Sequence, residues 1–162
     1  MAIFTRDNLE EANDAVNKLF YDTIFNILMT SKDEMNKHRA FEIMTNMLDS
    51  EFHRKQLIKE ECFSRLLEKT YPLADSKDTA DLRIIEKLSW LVCQISSHKD
   101  MYDLIIREKI LPFIIKISDT KYPSAIRSNA VLAISLLTYN ELLFDEIIKQ
   151  GVIDLIMELC RD

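Results

Sequence analysis

The side chains with the most chemical potential are three histidines, His38, His53 and His98, and three cysteines, Cys62, Cys93 and Cys160. No His-x-x-x-His or Cys-x-x-Cys spacing links them, so no metal site is expected. His53 and His98 fall near helix junctions, where a capping or surface role is the plainer reading. Each cysteine lies in an apolar, helix-periodic stretch, where a thiol behaves as a small core residue. A Cys–His nucleophile pair needs convergence of distant segments that nothing in the spacing provides. The carboxylate neighbours Glu10-Glu11 and Glu60-Glu61 are adjacent in sequence and point in different directions on a helix. With one glycine in the chain, a Gly-rich phosphate loop is excluded. No catalytic residue, metal or cofactor is therefore expected, and the chain reads as a non-enzyme.

The elements that must position these residues are helices. The chain has 162 residues, 48% hydrophobic and 30% charged, with one Gly and three Pro. Barrels, sandwiches and doubly wound sheets need many turns, and turns need Gly and Pro. Long helices joined by short polar links fit, and the length suits one domain. Twenty-one Lys and Arg against 27 Asp and Glu leave a net charge of -6. That sign disfavours nucleic acid and anionic membrane as partners. No stretch approaches about 18 uncharged apolar residues, the length a spanning helix needs. The odd number of cysteines and the charged first residues, which lack an apolar leader, point to the cytosol or the nucleus.

Helical spacing is clearest from Arg83 to Ser96, where Ile84, Ile85, Leu88, Leu91, Val92 and Ile95 draw one stripe. Ser31 or Asp33, Ser50, Asp78 or Thr79, and Asn140 offer N-caps. Pro112 and Pro123 suit a first helical turn. The stretch Leu9 to Met29 carries Val16, Leu19, Phe20, Ile24, Ile27 and Leu28 and is read as an N-terminal capping helix rather than a membrane-surface one. Met44 and Met47 fall on a buried stripe, so a Met-rich binding surface with Met35 is the weaker reading.

Three short apolar helices start at Cys62, Ile110 and Val152, at offsets of 110 − 62 = 48 and 152 − 110 = 42. Independently, Ala40, Leu88 and Ala130 align with apolar residues four and seven positions on, at 88 − 40 = 48 and 130 − 88 = 42. Two marker sets with the same spacing argue for an internal repeat. The six extra residues of the longer spacing are placed in a loop from Tyr71 to Thr79, where insertions are tolerated.

In these features the chain resembles the armadillo repeat family, with the related HEAT repeat as the nearest confusion. Gln150-Gly151-Val152-Ile153 matches the family's glycine between the first two helices, and Ile110-Leu111-Pro112 its proline. On the third helix, Arg39 to Met47 places Asn46 on the family's Asn position. Leu88 to Ile95 places Trp90 on its Trp position and Gln94 on Asn. The resemblance spans Lys18 to Cys160 and implies an all-α, right-handed solenoid of about four units, 8–49, 50–98, 99–140 and 141–162. The last unit lacks its third helix. Val152, Leu155, Ile156 and Leu159 are accordingly expected on a partly open end through which copies of the chain self-associate.

Solenoids of this kind line third helices along a concave face. Opposite the buried stripe of the second unit lie Arg83, Glu86, Lys87, Trp90 and Gln94; offset equivalents include Arg39, Glu42 and Asn46 before, and Asn129, Leu132 and Leu136 after. The first two rows are polar and slightly basic, while Leu132 and Leu136 interrupt the Asn and Trp ladders of nuclear-import receptors. An acidic partner segment with an apolar anchor, docking at Trp90, Leu132 and Leu136, fits this face. The expected role is a non-catalytic protein-interaction scaffold or adaptor. The alternatives are a chaperone-like cofactor or assembly factor clamping a folded domain, and a structural subunit of a larger complex. An enzyme would need a cleft that the pattern lacks.

Overall fold

The computed structural model describes residues 6–153 and Met157, with side chains described from Val16 onward. All regular structure among them is helical: α1 (Arg6–Thr30), α2 (Glu34–Met47), α3 (Glu51–Lys59), α4 (Cys62–Thr70), α5 (Thr79–Ser96), α6 (Tyr102–Arg107), α7 (Ile110–Ile117), α8 (Ser124–Leu137) and α9 (Glu141–Lys149), with 3-10 turns at Tyr71–Asp75 and Lys99–Met101. The chain divides into two compact units, Met1–Leu66 and Leu67–Asp162.

In the first unit α1 packs on α2. Tyr21, Ile24, Phe25 and Leu28 recur at three and four residues and are buried, as are Ala40, Phe41, Met44 and Met47 of α2. The apolar stripe expected on α1 divides in two: Ile24 and Leu28 join the core, whereas Val16, Leu19, Phe20 and Ile27 are exposed. Tyr21 and Phe25, not the residues on the other flank, complete the packing face. Arg65 fixes the unit across its sequence, with Nη1 donating to Asp22 Oδ1 at 2.6 Å and its guanidinium 4.1 Å from the Phe25 ring centre.

In the second unit α5 packs extensively on α8, and α7 on α8. Ile85, Leu88, Leu91 and Ile95 of α5, Phe113, Ile114 and Ile117 of α7, and Ile126, Ala133 and Leu137 of α8 are buried. The segment Tyr71–Asp75, expected as a tolerant loop, is instead a pinned 3-10 turn. Ala74 is buried and its carbonyl accepts from Tyr122 Oη at 2.7 Å; Asp75 accepts from Lys116 Nζ at 2.8 Å.

The two marker sets appear as geometry. Cys62, Ile110 and Val152 are all buried, as are Ala40, Leu88 and Ala130 and their apolar followers. Before α3, α6 and α9, residues Ser50, His98 and Asn140 share one extended conformation, with φ/ψ of −98/122, −108/116 and −104/121 degrees. After the same helices, Glu61, Lys109 and Gly151 are the described residues with positive φ, at 52, 52 and 76 degrees. Each closes its helix with the same pair of bonds: Glu60 N to Gln56 O and Glu61 N to Ile58 O, then Glu108 N to Leu104 O and Lys109 N to Ile106 O, then Gln150 N to Glu146 O and Gly151 N to Ile148 O. A left-handed residue after a helix satisfies carbonyls left open by its end. Glycine takes this conformation without strain, and Glu61 and Lys109 take it at a cost of roughly 1–2 kcal/mol each. Asp33 and Asp78 cap α2 and α5 through their carboxylates, and Asn140 caps α9 through its amide oxygen. Pro112 lies in the first turn of α7, while Pro123 sits one place earlier than expected, at the N-cap of α8.

Candidate functional site: the exposed face of the third helices

In the second unit, α5 and α8 run side by side because small residues let them approach. Ser89, 1% exposed, receives Nδ2 of Asn129 on its Oγ at 3.0 Å and donates to Glu86 O at 2.7 Å. Asn129 is thus half-buried, with one amide proton already held by α5. Beside this contact the solvent side of α5 presents Arg83, Glu86 and Trp90 exposed, with Lys87 and Gln94 half-buried. The indole of Trp90 is 45% exposed and Leu132 on α8 is 48% exposed, while Leu136 is half-buried. The solvent side of α5 thus carries an indole, two cations, one carboxylate and one amide, and α8 carries one exposed and one half-buried leucine. Such a face can anchor an apolar side chain and pair with charges at its rim.

In the first unit, Arg39, Glu42 and Asn46 are exposed on α2. Glu42 is engaged within its helix, its Oε1 lying 3.1 Å from His38 Nε2. Met35 is exposed and Met44 and Met47 are core.

Cys62 and Cys93 are buried free thiols. Burial pushes Cys62 up to about 11, and it also raises Cys93. Cys160 lies outside the described residues. His53 meets the Tyr21 hydroxyl through Nδ1 at 3.1 Å inside the first unit. No group of His, Cys, Asp and Glu able to hold a metal ion occurs among the described residues. No described helix is long and apolar enough to cross a membrane.

Of the open end expected at the C-terminus, Val152 is buried, and Leu155, Ile156 and Leu159 lie outside the described residues. Large exposed apolar side chains occur on and around α9, at Tyr139, Leu142, Phe144 and Ile148, and beyond it at Ile153 and Met157. Sequence reasoning passed over Leu142, which with Ile106, Leu111 and Pro112 lines a hollow of about 240 Å³. The signal was present: Leu142 is one residue outside the period of Leu143 and Ile147.

No protein-family model matches the sequence. No curated protein matches it either. Among solved structures, the chain is similar to a computationally designed armadillo repeat protein for modular peptide recognition, with a TM-score of 0.66, 16% identity, and coverage of 98% of this chain and 70% of that one. With the repeated caps and junctions, this likeness shows that the chain has an all-α, armadillo-like repeat solenoid fold.

Proposed function

We propose that this chain is a non-catalytic protein-binding scaffold that holds a segment of a partner on the exposed face of its third helices. The observation that carries the reading is the exposure of Trp90 on α5 and of Leu132 on α8, the helix packed against it, with Arg83, Glu86, Lys87 and Gln94 on the same helix as Trp90. A water-facing surface seldom leaves an indole and a leucine open together unless they meet a partner, and indoles are prominent among binding hot spots. Arg83 and Lys87 against Glu86 favour an acidic segment with an apolar anchor. The solved structure with this fold was designed for modular peptide recognition, which supports a peptide-like ligand. The reading extends to Arg39, Glu42 and Asn46 as contacts on α2, to Asn129 and Leu136 beside Leu132, and to about four repeat units. It places the chain in the cytosol or nucleus.

The test is affinity capture with the chain as bait, compared with Arg83→Glu/Trp90→Ala/Gln94→Ala. All three positions lie on the solvent side of α5, so the variant should keep its helical circular dichroism. A partner captured by the native chain and lost from the folded variant supports the reading. A partner retained equally by both sinks it.

A further inference from the structure

Helices α6, α7 and α9 border the hollow of about 240 Å³ that Leu142 lines. The buried part of its lining is apolar, at Ile105, Leu111 and Leu143. Its open part is apolar too: Ile106 on α6 is 50% exposed, and Leu142 in the first turn of α9 is 75% exposed. Ile106 stays open although α9 follows it in the chain, and Ile148, at 148 − 42 = 106 its equivalent, is open as well. The equivalent of Leu142, at 142 − 42 = 100, is Asp100, which is also exposed. A place that faces water in both units is thus a carboxylate in one and a leucine beside this hollow.

Size and charge say what fits. Cofactor and small-molecule pockets run to about 300–1,000 Å³ and enclose most of their ligand. This hollow is smaller and has an exposed wall, which suits one bulky side chain of a partner. At its rim, Gln150 Nε2 donates to Glu146 Oε1 at 2.8 Å, so these two occupy each other. Lys109 is exposed, and its ammonium has no partner among the described residues. Lys109 also holds its place at a backbone cost. Its φ is 52 degrees, at a junction where Gly151 makes the same turn without strain. Strained backbone gathers where a side chain is used. We propose that the hollow is a docking site for a segment of a partner protein, which seats one leucine- or phenylalanine-sized side chain against Ile106 and Leu142 and pairs an adjacent carboxylate with Lys109. A basic segment would have to displace Gln150 to reach Glu146, and would meet Lys109. None of the lining residues belongs to the Trp90–Leu132 face, so the inference stands apart from the proposed scaffold site.

Selection of a phage-displayed library of short random peptides on the whole chain, with fluorescence polarisation of the enriched peptides, tests this. Arg83→Glu/Trp90→Ala/Gln94→Ala is run as a parallel bait, so that ligands of the α5 face are set apart. Peptides with Leu or Phe next to Asp or Glu are expected to bind the native chain and this variant equally. Leu142→Asp installs the residue of position 100 and suits the start of a helix, so it should fold and weaken these peptides at least about tenfold. Ile106→Asp is a second disruptor, should the first fail to fold. Lys109→Gly should weaken them about two- to fivefold while melting higher than the native chain, which separates a lost ion pair from lost folding. Changing the peptide's carboxylate to its amide should weaken binding to the native chain by the same factor, and to Lys109→Gly no further. A selection that yields no peptide sensitive to the Leu142 and Ile106 variants overturns the proposal. So do sensitive peptides with Lys, Arg or no charge beside the anchor, or an amide peptide that binds the native chain as well as the acid does.

Discussion

Helices α5 and α8 occupy the same place in successive repeats and differ in what lies beside them. Leu88, Val92 and Ile95 on one and Ala130, Ile134 and Leu137 on the other are buried alike, since each meets the core beneath it. The side faces diverge. Ser89, Cys93 and Ser96 are closed off, whereas Val131, Ser135 and Thr138 stand open. In a repeat protein each unit contacts only its neighbours, so a side face is buried by the next unit and not by its own residues. The same small side chains therefore give a packed seam in one place and an accessible surface in the other.

The sharpest way to break this equivalence is to put one charge on both stripes. Cys93→Glu should cost about 3 kcal/mol or more, because an unpaired carboxylate cannot be buried at that seam. Ser135→Glu, at the matching place on α8, should stay within about 0.5 kcal/mol of the native chain. Urea unfolding of both variants checks the pair. A smaller effect is expected at the junctions. Lys109→Gly should gain about 0.5–1 kcal/mol, the strain relieved less the added freedom of the unfolded chain. Gly151→Ala should lose about 1 kcal/mol; a Cβ there meets nothing within 4 Å, so the loss comes from its φ of 76 degrees alone. Thermal melts read both, and equal effects of opposite sign would show that the junctions are the same device.

The smallest effect concerns the 3-10 turn. The hydrogen bond from Lys116 holds the Asp75 carboxyl below the usual carboxylate range. A carboxyl lowered on folding stabilises at pH values above its ordinary pKa, and that contribution fades as pH falls through the lowered value. Asp75→Asn should therefore lower the melting temperature slightly at neutral pH and not at all in strong acid. A difference that grew on acidification would contradict this ion pair.

The repeat was legible because its markers are periodic and local. Burial of Ala40, Leu88 and Ala130 follows from spacing alone, and the Asp33, Asp78 and Asn140 caps follow from residue type. The junctions at Glu61 and Lys109 were not legible, because neither residue announces positive φ as Gly151 does. Nor were the Arg65–Asp22 and Tyr122–Ala74 contacts, which join residues 43 and 48 positions apart and leave no trace in a helical period. The division of α1 escaped for a related reason: Phe20 and Tyr21 are neighbours of similar size, and only packing decides which is buried. At the candidate site, exposure of Trp90 and Leu132 followed from periodicity, while the bond tying Asn129 to Ser89 did not.

The central contrast can be measured directly by thiol labelling. In a Ser135→Cys variant at low micromolar concentration, site-resolved mass spectrometry would follow alkylation of the introduced thiol and of Cys93 in one molecule. The introduced thiol on α8 is expected to react at nearly the rate of an unfolded one, and Cys93 only as fast as the unit opens. Equal rates at the two positions would contradict the account, because α5 and α8 would then be covered alike.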